Sequence, residues 1–291
     1  MKSVMSNKWV ISLYVLPALL LILVLIYIPI VLTGYYGLMD WNGIGKMKFI
    51  GLDNYMELVK DKLFWQSTWH SLLLGAFSAL SLVGYLILSL ILASKIKGAN
   101  ILRKIYLIPM LLSSVAIGQL WAKIFDPSNG MINRLLILFG VDNPPVWLAD
   151  SNIVLYALFF PIVWQYAGFY IIIFYAALKN VPEELVEAAK IDGATPIQIA
   201  YKIKLPLISG VIRVMVILAI VGSLKYFDLI FVLTGGGPNH ASEVMASYMY
   251  TEAFSKYHFG YGSAIGFGLL IICLLMTWLI QKLLSSKDVE F

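Results

Sequence analysis

The segment Glu187–Pro206 reads EAAKIDGATPIQIAYKIKLP, and it is polar in a chain where only 13% of residues are charged. Glu183, Glu184, Glu187 and Asp192 gather in or just before it, and apolar runs flank it on both sides. Such a segment is expected to connect two membrane spans outside the bilayer. Pro182 suits the first position of a helix, where its missing N–H costs nothing. Glu183 and Glu184 then fall in the first turn, where the positive end of the helix dipole favours them. The helix runs through Leu185, Ala188 and Ala189 and stops at Gly193. A second short helix restarts with Thr195 as N-cap, Pro196 next and Gln198 three residues after the cap, the spacing of a capping box. Ile197, Ala200 and Ile203 give it an apolar stripe, and Pro206 is expected to end it. The spacing predicts two helices joined at a glycine corner.

Composition sets the class. Hydrophobic residues make up 60% and mean hydropathy is +0.86, against about 45–50% apolar for a soluble domain. The chain reads as an all-α integral membrane protein, a single domain over 1–291. A lone cysteine, Cys273, sits in an apolar run, so no disulfide framework exists. The net charge of +5 fits loops biased toward the cytoplasm, with no nucleic-acid partner. The chain has no G-x-x-x-x-G-K-[ST] segment to cradle phosphates and no H-E-x-x-H segment to hold zinc. His70, His240 and His258 are scattered, and no catalytic constellation is visible. A non-enzyme without metal or cofactor of its own is expected.

Six apolar stretches are expected to span the membrane, at about 9–37, 68–93, 105–125, 153–178, 207–233 and 261–284. Each is long enough for a hydrocarbon core of about 30 Å. The first is too long for a signal peptide and lacks a small-residue cleavage site. The 105–125 span holds Pro109. Segments 40–63, 126–152 and 234–257 lie on one face, with a short interfacial helix expected at Met131–Phe139. The other face carries Lys2, Lys8, Lys95, Lys97, Arg103, Lys104, Lys179, Lys190, Lys202, Lys204, Lys282 and Lys287. That excess places both termini and the 179–206 loop in the cytoplasm.

E-A-A, three residues to Gly193, nine more, then Ile203-Lys204-Leu205-Pro206: this pattern resembles the EAA loop of bacterial ABC importer permeases. The form with Asp192-Gly193-Ala194 is similar to carbohydrate permeases of the maltose type. Gly51-Leu52-Asp53-Asn54-Tyr55, Gly130-Met131-Ile132-Asn133 and Leu233-Thr234-Gly235-Gly236-Gly237-Pro238 resemble further family pieces, in the right order. The resemblance implies the type I permease fold in the inner membrane of a bacterium. It makes the loop a coupling helix seated in an ATPase groove, with Glu184, Glu187, Ala188, Ala189, Asp192, Gly193 and Ala194 as its coupling residues. The implied partners are a second homologous permease, two cytoplasmic ATPase subunits that bind ATP and Mg, and an extracytoplasmic sugar-binding protein.

The cargo path is expected where polar and aromatic groups interrupt spans. Ile162, Gln165, Tyr166 and Phe169 share one helix face, as do Gly222, Lys225, Tyr226 and Leu229. Aromatic rings stack on the apolar faces of sugars, Gln and Lys bond hydroxyls, and Gly222 leaves room for a ring. The resemblance carries cargo contacts onto Gln165, Tyr166, Phe169, Gly222, Lys225 and Tyr226. Other roles stay open for Lys225, which can pair with Asp228 three residues on or snorkel to the interface. Tyr170 falls on the adjacent face, where packing is expected. Sugar import is the reading. Import of glycerol-phosphate or another phosphorylated solute is the alternative, since Lys225 could serve an anion. An ATP-independent secondary transporter calls for inverted repeats and buried charged relays, and no duplicated charge pattern is visible.

Overall fold

The structure is a computed structural model that describes residues 8–94 and 97–284. Lys2, Lys95 and Lys287 of the basic face lie outside the described residues, as does the side chain of Lys8. In chain order, α1 (Lys8–Ile22) passes through a π turn (Leu23–Tyr27) into α2 (Ile28–Tyr36). A two-stranded hairpin follows, β1 (Met39–Asp40) and β2 (Lys48–Phe49), then α3 (Asp53–Lys60) and α4 (Lys62–Ala93). Next come α5 (Ala99–Leu111), α6 (Ser114–Ile124), α7 (Met131–Leu138) and α8 (Val154–Lys179). The polar loop holds α9 (Glu183–Ile191), α10 (Pro196–Ile199), a π turn (Ala200–Lys204) and α11 (Leu205–Leu207). The remainder is α12 (Ser209–Leu224), α13 (Asp228–Leu233), α14 (Met245–Tyr250), a π turn (Thr251–Ser255) and α15 (Phe259–Leu283).

Five stretches are long and apolar enough to cross a membrane: Trp9–Tyr36, Lys62–Ala93, Val154–Lys179, Ser209–Leu233 and Phe259–Leu283. The expected third span is not one rod. α5 and α6 meet at 100° and make a sixth crossing only as a broken pair. Pro109 is tolerated inside α5. The break comes at Leu112, which is extended, and at Ser113, whose side chain accepts from the Ala116 N–H at 3.2 Å and starts a new helix. The Ser209–Leu233 stretch, the expected fifth span, is interrupted too, at 225–227 between α12 and α13.

Two further expectations are corrected in the polar loop. Pro182 is the N-cap of α9, so Glu183 takes the first helical position. Pro206 does not end its helix. The π turn before it lets the Leu205 N–H reach back to the Ala200 carbonyl, and this wider turn carries the chain past a proline that has no N–H. The chain yields instead at Ile208, just before α12.

The chain divides into two compact units. The first holds the residues up to Phe64 together with Tyr248–Ile271. Its long N-terminal helix is apolar all round and has no buried position across its most hydrophobic stretch, as expected of a surface made for lipid or another membrane helix. Segment 40–63, expected only as a polar connection, is folded. Met39 pairs with Phe49 in the antiparallel hairpin. Buried Asn54 donates to the carbonyls of Gly37 (3.0 Å) and Met39 (2.9 Å). Tyr248 and Tyr261 both donate to Asp61 Oδ2, at 2.5 and 2.6 Å. Burial pushes the Asp61 carboxyl up, but those two hydroxyls and the backbone of Leu63 and Phe64 outweigh it, and the group sits below its ordinary range.

The second unit holds Trp65–Ser247 and the residues from Ile272 on. Its core has two clusters. One gathers Leu74, Ile117, Leu158, Leu229 and Ile230, and the other Leu82, Tyr85, Ile171, Phe174 and Met215. α5 lies against α8 because Gly168 has no side chain. A Cβ there would stand 2.1 Å from the Tyr106 carbonyl oxygen. Tyr85 Oη donates to the Val163 carbonyl at 2.7 Å and ties α4 to α8.

Candidate functional site

Within the second unit, α4, α8 and α12 enclose a cavity of about 280 Å³. α8 contributes Tyr166, Phe169 and Tyr170, and the α12 end contributes Gly222, Ser223 and Tyr226. The rings are ordered by each other. Tyr166 and Tyr226 meet edge to face with centroids 6.1 Å apart, and Phe169 meets Tyr170 the same way at 5.2 Å. A Cβ on Gly222 would meet nothing within 4 Å, so the wall there is open.

The residues expected to share this path separate into three situations. Tyr166, Phe169, Gly222 and Tyr226 line the cavity. Gln165 is buried behind it, and its Oε1 accepts from the Tyr226 hydroxyl at 3.0 Å. Lys225 is exposed and off the lining. The expected stripe Gly222–Lys225–Tyr226–Leu229 assumed an unbroken helix, but α12 ends at Leu224, and Leu229 is fully buried in the core of α13. The alternative pairing of Lys225 with Asp228 is absent too. Asp228 opens α13, where the helix dipole favours it, with its Oδ2 3.5 Å from Ser114 Oγ.

Residues that sequence reasoning missed come from α4, α5, α8 and α12, among them Met110 and Ser223. Ser78, Ser81 and Tyr85 line the cavity from α4. Their spacing of three and seven puts them on one face of an apolar span, and that polar stripe was the available signal. Tyr170, expected to pack, also lines the cavity and stacks on Tyr85 with centroids 5.7 Å apart and planes 5° apart. Ser78 and Ser223 hydroxyls meet at 3.0 Å across the wall.

The α9–α10 corner is built by local chemistry. Gly193 has φ +78°, a conformation open to glycine at little cost. The Ala194 N–H reaches the Ala189 carbonyl and the Gly193 N–H the Lys190 carbonyl, at 2.9 and 3.1 Å. These two bonds form a Schellman motif. Thr195 and Gln198 complete the capping box, at 3.3 and 2.7 Å. Glu184, Glu187, Ala188, Asp192 and Gly193 are exposed, and Ala189 and Ala194 partly so. Ile191, Ile197 and Tyr201 stand 86%, 81% and 70% exposed around the corner. No group of three metal-ligating side chains occurs among the described residues.

Residues 85–287 match the family described as "Binding-protein-dependent transport system inner membrane component". The chain belongs to that family. It is therefore a transport permease, and the matched region contains the α9–α10 corner and most of the cavity wall. A protein of Pyrococcus horikoshii named a probable ABC transporter permease is 37% identical over 270 residues, 92% of each chain. The trehalose/maltose transport system permease MalF of Thermococcus litoralis is 34% identical over 271 residues, 91% of this permease and 90% of the relative. A chain of a bacterial alginate ABC transporter, solved with an alginate-bound periplasmic protein, superposes with a TM-score of 0.83 at 22% identity. That match covers 97% of the permease and 96% of the alginate chain, and it shows the type I permease fold.

Proposed function

We propose that the permease imports a sugar delivered by an extracytoplasmic binding protein, driven by ATP hydrolysed on partner subunits. The observation that carries this reading is the cavity of stacked aromatic rings and hydroxyls on α4, α8 and α12. Aromatic faces suit the C–H faces of a sugar ring, and the Ser and Tyr hydroxyls supply both donors and acceptors. Named relatives support it: trehalose/maltose, multiple-sugar and diacetylchitobiose systems. No Lys or Arg lines the cavity, which speaks against a phosphorylated cargo.

On this reading the permease lies in a bacterial inner membrane with both termini cytoplasmic. A second, homologous permease completes the path, and a binding protein docks on the face of segments 40–63, 126–152 and 234–257. Two cytoplasmic ATPases bind ATP and Mg. The α9–α10 corner is the part they push, through Glu184, Glu187, Ala188, Ala189, Asp192, Gly193 and Ala194. Its exposed Ile191, Ile197 and Tyr201 are apolar side chains suited to a protein groove. α8 ends three residues before α9, and α12 begins just after α11. A displacement of the corner therefore acts directly on two cavity walls, as alternating access requires.

The test is uptake in cells carrying the whole system. Tyr166→Ala and Tyr226→Ala should each lower sugar uptake about tenfold or more, a loss matching the 1–3 kcal/mol range of a stacked or hydrogen-bonded contact. Unchanged kinetics in both would remove the cavity from the path. Uptake of glycerol-phosphate in place of sugars would overturn the cargo, and uptake without a copurifying ATPase would overturn the energy source.

A further inference from the structure

A second cavity, of about 240 Å³, lies in the second unit where α4 and α8 end and α5 begins. Its lining includes Leu92, Asn100, Arg103, Tyr175 and Lys179, and no carboxylate. Arg103 lies over the Tyr175 ring at 4.0 Å from its centroid, and the Lys179 ammonium is 6.0 Å from the same centroid. The Arg103 guanidinium is held in place, Nε donating to the Ala99 carbonyl at 3.3 Å and Nη2 to Asn100 Oδ1. Those bonds leave other N–H groups of the guanidinium available. Neither Arg103 nor Lys179 forms an ion pair among the described residues.

Lys204, outside the lining, is also pushed below its ordinary range, by burial first and then by Lys179 and Lys190. Cations crowded without a counter-charge raise one another's cost of ionisation, and a bound anion relieves it. The rest of α5 bears on which kind of anion. Ile101, Leu102 and Ile105 are 65%, 43% and 52% exposed, so the side of α5 turned away from the cavity is an apolar surface. A soluble phosphate has no use for that surface, whereas acyl chains do.

We propose that this cavity binds the phosphate headgroup of an anionic phospholipid, with Arg103 and Lys179 on the phosphate and the acyl chains along α5. Basic pockets at helix ends facing the cytoplasmic leaflet are suited to such headgroups. Only the choice of leaflet rests on the topology proposed above. The binding itself does not depend on cargo or ATPase, so its failure and the failure of the transport reading are separable.

The experiment is lipid retention by the purified full-length chain in detergent, measured by native mass spectrometry. Phosphatidylglycerol, phosphatidylcholine and inorganic phosphate are added in separate arms. Phosphatidylglycerol should be retained about tenfold more than phosphatidylcholine. Lys179→Gln should lower that preference about fivefold, and Arg103→Gln with Lys179→Gln should abolish it, at about a factor of five per basic residue. Lys179→Arg should keep it, and Lys46→Gln with Lys48→Gln, in the β2 hairpin, should leave it unchanged. If the double variant does not fold, Lys179→Gln alone decides, because Lys179 is exposed at the end of α8. Equal retention of the two lipids, or unchanged retention in Lys179→Gln, would overturn the proposal. Displacement of phosphatidylglycerol by millimolar inorganic phosphate would overturn the lipid assignment in favour of a free-anion site.

Discussion

The bond between Tyr226 and Gln165 shows how single residues set the site. Buried Gln165 on α8 accepts from half-buried Tyr226, just past the end of α12, at 3.0 Å. Removing one partner leaves the other unsatisfied at about 1–3 kcal/mol, while removing both is nearly neutral. Tyr226→Phe and Gln165→Leu should therefore each lower the thermal midpoint of the purified protein. The double variant should lose less than the sum of the two. Additive losses would mean that the bond does not form. Asp61 offers a pH-dependent counterpart in the other unit. Its folded-state pKa is depressed, so its contribution is present above the unfolded value of about 3.9. It fades as pH falls through the lower folded value. Asp61→Asn should lower the midpoint at pH 7, and the gap to the parent should close as pH falls below about 4. A gap that persists in acid would contradict the hydrogen bonds from Tyr248 and Tyr261. Neither partnership was legible in advance, because their members lie 61, 187 and 200 residues apart.

Among the elements, the polar loop was the most legible and the broken helices the least. Capping boxes and Schellman motifs are local, so Thr195, Gln198 and Gly193 announce themselves in consecutive residues. A Cβ on Gly193 would meet nothing within 4 Å, so a substitution there acts on the backbone alone. Gly193→Asn, which tolerates a left-handed φ, should keep coupling. Gly193→Val should lose most transport-linked ATPase stimulation in the assembled system while the protein still expresses. Equal stimulation in both would show that the corner is not mechanical. Gly168 makes the opposite case, since its surroundings are full. Gly168→Ala should destabilise the α5–α8 packing by about 3 kcal/mol, the upper range of overpacking and more severe against backbone. The measurement is denaturation of the purified protein. The 100° turn at Leu112–Ser113 was not legible. Ser113 is an ordinary N-cap residue, and the Ser113-Ser114 pair sits inside a run as hydropathic overall as a single span.

For the molecule as a whole, hydropathy already marks the apolar stretches, and the structure has five such helices with a sixth crossing only as a bent pair. The topology can be checked directly. Cys273 is buried, so single-cysteine labelling has a low background. A cysteine at Lys190 should react only with a reagent that reaches the cytoplasm, and one at Lys46 with a membrane-impermeant reagent added outside. The reverse pattern would invert the protein and detach α9 from any ATPase.

The sequence by itself determined the class and the geometry of the α9–α10 corner. Those depend on composition and on bonds between residues a few positions apart. Only the tertiary structure decided that α4 helps wall the cavity, that Tyr170 lines it, and that Lys225 does not. Each of these turns on where a helix stops or how two distant helices cross. A single extended residue at Leu112 or the interruption after Leu224 is enough to move a side chain off the face that periodicity assigns it.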